Sequence, residues 1–114
     1  MSRLQARQAA AAKAHAAVFA ALGDPTRLSV LMRLSSGAPQ SIARLTEGTP
    51  LTRQAVTKHL RVLSEAGIVR SVRVGRESQF AMQPEPLAQA RSWLDDISRQ
   101  WDDALLRLKA FVER

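Results

Sequence analysis

A switch in apolar periodicity at Gly67 limits the folds open to this chain more than any other feature. Before it, Val56, Leu60 and Leu63 repeat at the spacing of one helix face. After it, residues 68–82 are rich in β-forming side chains around a central glycine, which predicts a β-hairpin. The other periodic segments are helical. The sequence therefore predicts a mainly α fold with one two-stranded β-wing.

Turn and cap residues divide the remainder of the 114 residues into helices. Asp24 is a favoured N-cap and Pro25 suits the first helical position, so a second helix is predicted to start there. A short third helix is predicted over about 41–46, and a fourth from its N-cap at Thr52 to about Ala66. The apolar stripe predicted for the second helix is Leu28, Leu31, Met32 and Leu34.

The order helix, connection, helix, hairpin is that of a winged helix-turn-helix. A chain of this length holds one domain, which we predict over residues 1–114. Within it we place the helix-turn-helix at 41–66 and the wing at 68–82. The flanking helices, at 1–22 and 86–112, are predicted to form a dimer. The alanine-rich run from Ala9 to Ala21 is also compatible with a transit peptide, but alanine is the best helix former, which favours a helix.

The charge balance points to a polyanionic partner. Lys and Arg number 17 against 10 acids, for a formal net charge of +7. Residues 1–40 and 41–82 each carry +4, whereas residues 83–114 carry −1. A surplus of this size in a small domain is typical of proteins that bind nucleic acid, so double-stranded DNA is the predicted partner of the first two thirds.

The residue inventory excludes several other classes. There is no Cys and there are only two His, which argues against a disulfide scaffold, a thiol sensor and a zinc site. We therefore expect no metal and no cofactor. No nucleophile with a sequence-placed base and no glycine-rich phosphate loop is present, so an enzyme is not expected. No apolar run approaches the roughly 18 residues of a membrane span, so we expect a cytoplasmic protein with no membrane contact.

The fourth helix has a polar face that carries no acid. Arg and Gln make the bidentate hydrogen bonds that distinguish guanine and adenine edges, Thr contacts bases or phosphates, and Lys mostly contacts phosphates. A solvated basic face is the alternative, but exposed helix faces usually mix charge signs. On the wing, Arg73 and Arg76 are placed to reach a phosphate or the minor groove. The predicted DNA-binding residues are Thr52, Arg53, Gln54, Thr57, Lys58, His59, Arg61, Arg73 and Arg76.

Residues 18–82 resemble the ArsR-type (arsenic-repressor-like) winged-helix regulators of bacteria. The resemblance rests on FAALGDPTRL at 19–28, RQAVTKHLRVL at 53–63, AGIV at 66–69 and GR at 75–76. It implies a homodimer that binds a palindromic operator, usually as a repressor; the inducer is unknown. The family's DNA-reading positions match Arg53, Gln54, Thr57, Lys58 and His59. His59 also flanks the apolar stripe, so a packing role is equally open.

The metal sites of many relatives are not matched. The third helix reads Ser-Ile-Ala-Arg-Leu at 41–45 with no thiol, and the last helix has no His. Its acids at 95–96 and 102–103 resemble a hard-cation site, but Asp95 with Arg99 and Asp103 with Arg107 are i, i+4 pairs typical of a solvated face. The chain thus resembles the subset of the family that lacks the metal-site cysteines, and we predict no metal or redox sensing at those positions.

The last helix is too long and too apolar for one small domain to cover. Its roughly 27 residues would span about 40 Å. It carries both Trp residues, which are typical interface anchors, although core packing within one chain is the alternative. We predict a two-fold interface built from Leu4, Val18, Leu22, Leu94, Ile97, Trp101, Leu105 and Leu108.

Two alternatives to a sequence-specific regulator stay open at this point. A nonspecific DNA-coating protein has the same basic surface and would tolerate exchange of Gln54. A winged-helix protein–protein module needs an apolar or acidic face on the fourth helix, which the bases of residues 53–61 oppose.

Overall fold

The computed structural model describes residues 2–114; Met1, which the predicted first helix includes, lies outside the described residues. The fold is mainly helical with one small antiparallel sheet, as predicted. None of the described helices is long and apolar enough to cross a lipid bilayer. The elements are α1 (Arg3–Leu22), α2 (Pro25–Arg33), β1 (Gln40–Ser41), α3 (Ile42–Thr46), α4 (Arg53–Glu65), β2 (Val69–Val74), β3 (Glu77–Met82) and α5 (Pro84–Val112).

Four helix starts are fixed by short polar side chains, the first being that of α1, where the Ser2 hydroxyl accepts the Gln5 N–H. The Asp24 carboxylate accepts the backbone N–H of Arg27 at 2.8 Å and caps α2. Ser41 and Thr52 cap α3 and α4 in the same way, each accepting a backbone N–H at 3.1 Å. Each cap satisfies one of the N–H groups that have no partner inside the helix. The predicted starts of α2 and α4 are confirmed.

The sheet has three strands in the order β1-β3-β2, so the predicted two-stranded wing is incomplete. The hairpin of β2 and β3 is present, with Val74 opposite Glu77 and a turn at Gly75, where φ is +62°. In addition, Gln40 and Ser41 pair with Phe80 and Gln79 of β3. Two residues are too few to show alternation, so this strand leaves no periodic signal in the sequence.

The last helix begins at Pro84, two residues before the predicted start at Pro86. Both prolines lie in the first turn, where the backbone N–H groups have no intrahelical acceptor. A proline there loses no hydrogen bond, so it is compatible with the helix rather than a break before it.

The core lies between α1, α2, α3, α4, the root of the sheet and the start of α5. The predicted stripe of Val56, Leu60 and Leu63 is confirmed, because all three side chains are buried. The predicted stripe of α2 is partly wrong: Leu28 is 39% exposed and Met32 66%, while Val30 is buried beside Leu31 and Leu34. Val30, Leu31 and Leu34 share one side of α2, which leaves Leu28 and Met32 on the other.

The chain is far more extended than its length requires. Its Cα radius of gyration is 18.9 Å, against about 13 Å for a compact domain of this size. At 29 residues, α5 is about 44 Å long. It meets α1 through Trp93, whose ring centroid lies 5.3 Å from His15 and 5.9 Å from Phe19. Beyond this contact, most of α5 and the first half of α1 are exposed.

Candidate nucleic-acid interface

One face of α4 gathers five polar side chains around a shallow depression. Four of them are exposed and Thr57 is half-buried. None carries negative charge. This surface, called the α4 polar face below, consists of Arg53, Gln54, Thr57, Lys58 and Arg61. The structure therefore brings together the five residues whose spacing predicted a common face.

The opposite side of α4 fixes how the α4 polar face is presented. Val56, Leu60 and Leu63 are almost fully buried. Nearby, the Arg33 guanidinium donates a hydrogen bond to the Leu45 carbonyl at 2.9 Å and ties α2 to α3. A helix anchored along its apolar stripe has one rotational setting, so the α4 polar face has one orientation in the protein.

Two threonines of the predicted set have local structural roles as well. The Thr52 hydroxyl accepts the Ala55 N–H as the N-cap, which leaves its own proton free to donate. The Thr57 hydroxyl donates to the Arg53 carbonyl at 2.7 Å. Its remaining lone pairs and its methyl group stay available to a ligand on the α4 polar face.

His59 lies on a different side of the helix. It is roughly half a turn around α4 from the centre of the α4 polar face, and its side chain is 21% exposed. Its Nδ1 lies 3.9 Å from Oδ2 of Asp24, the residue that caps α2. That distance is too long for a hydrogen bond but brings the two groups into electrostatic contact. His59 thus faces the α1–α2 junction rather than the α4 polar face, which favours the packing role over the predicted DNA contact.

The hairpin presents two further predicted bases. Arg73 on β2 and Arg76 in the turn are both exposed. The positive φ of Gly75 makes the tight turn that puts Arg76 at its end. Arg70, three residues before Arg73, projects from the opposite face of the strand.

The bases of α4 and the wing have no acidic partner. The described part of the chain contains three contacts within 4 Å between basic and acidic side chains, formed by His59 with Asp24, Arg99 with Asp96, and Lys109 with Glu113. Unpaired guanidinium and ammonium groups keep their full charge for an external anion, and phosphate is the anion that such groups bind in nucleic acids. The bases concerned are Arg53, Lys58, Arg61, Arg73 and Arg76.

Sequence reasoning missed Arg44. It is exposed on α3 and borders a polar depression shared with Ser41 of β1 and Gln79 of β3, next to Glu77. It is the only base of α3, and that position in the helix preceding α4 was the available signal.

The predicted dimer residues fall into two groups. Leu4, Leu94, Trp101, Leu105 and Leu108 are exposed, Trp101 to 66%, and Ile97 is half-buried. Val18 is a core residue, only 4% exposed, and Leu22 is half-buried beside the core, because the second half of α1 packs on the body of the protein. We correct Val18 from an interface to a core position. The exposed surface, called the α5 stripe below, is Leu94, Ile97, Trp101, Leu105, Leu108 and Val112.

Known proteins share this sequence pattern and fold. A family profile described as a helix-turn-helix domain matches residues 22–72. An uncharacterised HTH-type transcriptional regulator of Bacillus subtilis is 37% identical over 86 residues, which cover 69% of this chain and 94% of that protein. An ArsR-like transcriptional regulator from Rhodococcus sp. RHA1 superposes with a TM-score of 0.79 at 39% identity, covering 87% of this chain and 92% of that one.

A more distant structure shows the same fold. It is the homodimeric winged helix-turn-helix DNA-binding domain of a possible ArsR-family regulator from Mycobacterium bovis. It superposes with a TM-score of 0.67 at 20% identity and covers 91% of this chain and 93% of that one. The architecture described above is thus a winged helix-turn-helix.

Proposed function

The chain belongs to the ArsR family of DNA-binding transcriptional regulators, and on this premise we propose that it is a homodimeric repressor of a palindromic operator. The observation that carries the proposal is the acid-free α4 polar face, which combines base-reading Arg and Gln with unpaired phosphate-binding charges. In this proposal residues 1–114 act as one domain. Residues 41–66 form the helix-turn-helix, 68–82 the wing, and 1–22 with 86–112 the dimer helices.

The recognition helix, residues 52–66, enters the major groove with its N-terminal end toward the bases. Arg53 and Gln54 lie in the first turn, which is the part of a recognition helix that contacts base edges. Arg matches the two acceptors of guanine, and Gln the acceptor–donor pair of adenine. Thr57, one turn further on, contacts a base or a thymine methyl group.

The remaining bases hold the DNA backbone. Lys58 and Arg61 bind phosphates that flank the groove, and Thr52 donates its free hydroxyl proton to a phosphate at the helix start. Arg73 and Arg76 of the wing reach a phosphate or the adjacent minor groove. Phosphate contacts set the register of the protein on the duplex, while the first turn of α4 supplies the discrimination between sequences.

Dimerisation through the α5 stripe supplies the two-fold symmetry. Large apolar side chains that are exposed along one helix mark an interaction surface, and the extended shape of the protomer leaves that surface uncovered. The homodimeric state of the Mycobacterium bovis relative supports the same assembly here. A C2 dimer places two recognition helices about one DNA turn, roughly 34–36 Å, apart. Occupancy of such a site near a promoter blocks RNA polymerase.

The test is a selection of genomic fragments with the purified protein at about 150 mM salt, followed by footprinting of the retained fragments. We expect one or a few protected palindromes, including one at a promoter. Uniform retention of all fragments that declines smoothly with salt would instead identify a nonspecific DNA-coating protein and refute the operator-binding proposal.

A further inference from the structure

The two exposed helices carry opposite charges. Three bases and no acid lie on α1: Arg3, Arg7 and Lys13. Between residues 95 and 103, α5 carries four acids and only one base, Arg99. All of these side chains are exposed. Asp95 and Asp102 border the α5 stripe, because each lies about 100° around the helix from Leu94 or Trp101, whereas Asp96 and Asp103 lie on the opposite side of α5.

Apart from one pair, these charges have no partner within the described protomer. Asp96 pairs with Arg99. Across residues 2–114, no base of α1 lies within 4 Å of an acid, and Asp95, Asp102 and Asp103 have no base within that distance. The two helices are neighbours, joined by the contacts of His15 and Phe19 with Trp93. The exposed surface of these two helices therefore contains the bases of α1, the apolar α5 stripe and, beside the stripe, Asp95 and Asp102.

A surface with both signs of charge fits a second copy of itself. In a two-fold interface the same patch meets its own copy, so any contact between α1 and α5 of the partner occurs twice. Placing α5 along α5 alone brings like charges together, whereas placing α1 of one protomer along α5 of the other brings opposite charges together.

We propose that, in the homodimer inferred above, the bases of α1 of each protomer lie against Asp95 and Asp102 of its partner's α5, and that this charge match selects a second copy of this chain. The proposal rests on the proposed homodimer and adds what decides its geometry and its partner. Apolar contacts of the α5 stripe hold the subunits together. The charges determine that α1 of one protomer packs against α5 of the other. Exposed ion pairs are individually weak, but complementary charge over a whole interface determines orientation and excludes wrong partners.

A pair of charge-swapped full-length variants tests this. Arg3→Glu/Arg7→Glu makes α1 acidic, and Asp95→Lys/Asp102→Lys makes the edge of the α5 stripe basic. In either variant alone, like charges face each other twice, so we expect the dimer dissociation constant to rise about tenfold or more. When the two variants are mixed in equal amounts, both contacts of the heterodimer become complementary. We expect native mass spectrometry to show heterodimer well above the statistical half, and sedimentation equilibrium to show wild-type affinity.

Glu47→Lys/Glu65→Lys is the matched control, because it makes the same charge change at exposed acids outside α1 and α5. It is expected to dimerise like the wild type. The differences among all variants should shrink at about 1 M salt, where charges are screened within about 3 Å. Helical circular dichroism of each variant checks that the fold is kept.

Two results overturn the proposal, and they are distinguishable from failure of the dimer itself. If the wild type dimerises and the swapped variants dimerise equally well, the charges pair within one chain or not at all. If each variant is weakened but the mixture shows only the statistical half of heterodimer, the charges do not select the partner. A wild type that is monomeric at micromolar concentration contradicts the homodimer and, with it, this inference.

Discussion

At the residue scale, the proposed interface divides into side chains that read bases and side chains that bind phosphates. Gln54 belongs to the first class and Arg76 to the second. Both are exposed and neither supports the core. Substitution of either residue therefore reports on DNA binding rather than on folding.

Replacing Gln54 by Ala removes a bidentate partner for adenine. We expect a loss of about 1–3 kcal/mol in binding free energy on the operator and little change on random DNA. Fluorescence anisotropy titrations on both duplexes measure the difference. Equal losses on the two duplexes contradict base reading by Gln54.

Replacing Arg76 by Ala removes one charge from the turn of the wing. We expect weaker binding to operator and random DNA alike, and a slope of log affinity against log salt that is shallower by about one. Arg91→Ala, an exposed base on α5, is the control and should leave the slope unchanged. An unchanged slope for Arg76→Ala places the wing outside the interface.

The direction of the His59 side chain could not be predicted from its position in the sequence. His59 adjoins both the α4 polar face and the apolar stripe in sequence, so its periodicity is ambiguous. The direction of its side chain depends on Asp24, which approaches from the α1–α2 junction 35 positions earlier. That contact is tertiary, and no local pattern encodes it.

At the element scale, α4 was predictable because several local signals agree. Thr52 caps its start, Val56 and Leu60 set its buried side, and Gly67 follows its end with a φ of +77°. The strand β1 was not predictable, because two residues carry no period. The start of α5 at Pro84 is not apparent from the sequence, because proline usually interrupts a helix, although the first turn of a helix accepts it.

Loss of the cap tests whether Thr52 stabilises α4. We expect Thr52→Ala to lower the free energy of unfolding by about 0.5–2 kcal/mol, because the Ala55 N–H loses its acceptor, and Thr52→Asn to restore most of it. Urea denaturation monitored by circular dichroism measures both. Equal stability of the alanine variant and the wild type would show that the Thr52 cap does not stabilise α4.

At the scale of the whole molecule, one protomer leaves a large apolar surface uncovered. Its helices extend beyond the core and expose the α5 stripe, while the residues that bind DNA lie on α4 and the wing. The DNA surface has an uncompensated positive charge, since residues 41–82 carry +4, whereas the dimer surface combines the bases of α1 with acids of α5. Which residues of α1 are buried was not readable from sequence, because Leu4 and Val18 have the same apolar character.

A charge placed in the α5 stripe should separate the subunits without unfolding them. Leu105 is exposed in the protomer, so Leu105→Glu is expected to keep the helical circular dichroism signal and to become monomeric at micromolar concentration. Sedimentation equilibrium measures the change. Val74→Glu, at an exposed apolar residue of the wing, is the control and should remain dimeric. An unaffected Leu105→Glu dimer excludes the α5 stripe as the interface.

The most direct test of the proposed dimeric regulator is its affinity for an operator whose two half-sites are moved apart by about five base pairs, half a turn of DNA. A rigid dimer cannot then place both recognition helices in major grooves on the same side of the duplex. We predict that binding falls to the level of random DNA and that it largely returns when the half-sites are restored to their original spacing. Unchanged affinity after the half-turn insertion contradicts a dimer that reads two half-sites with paired α4 helices.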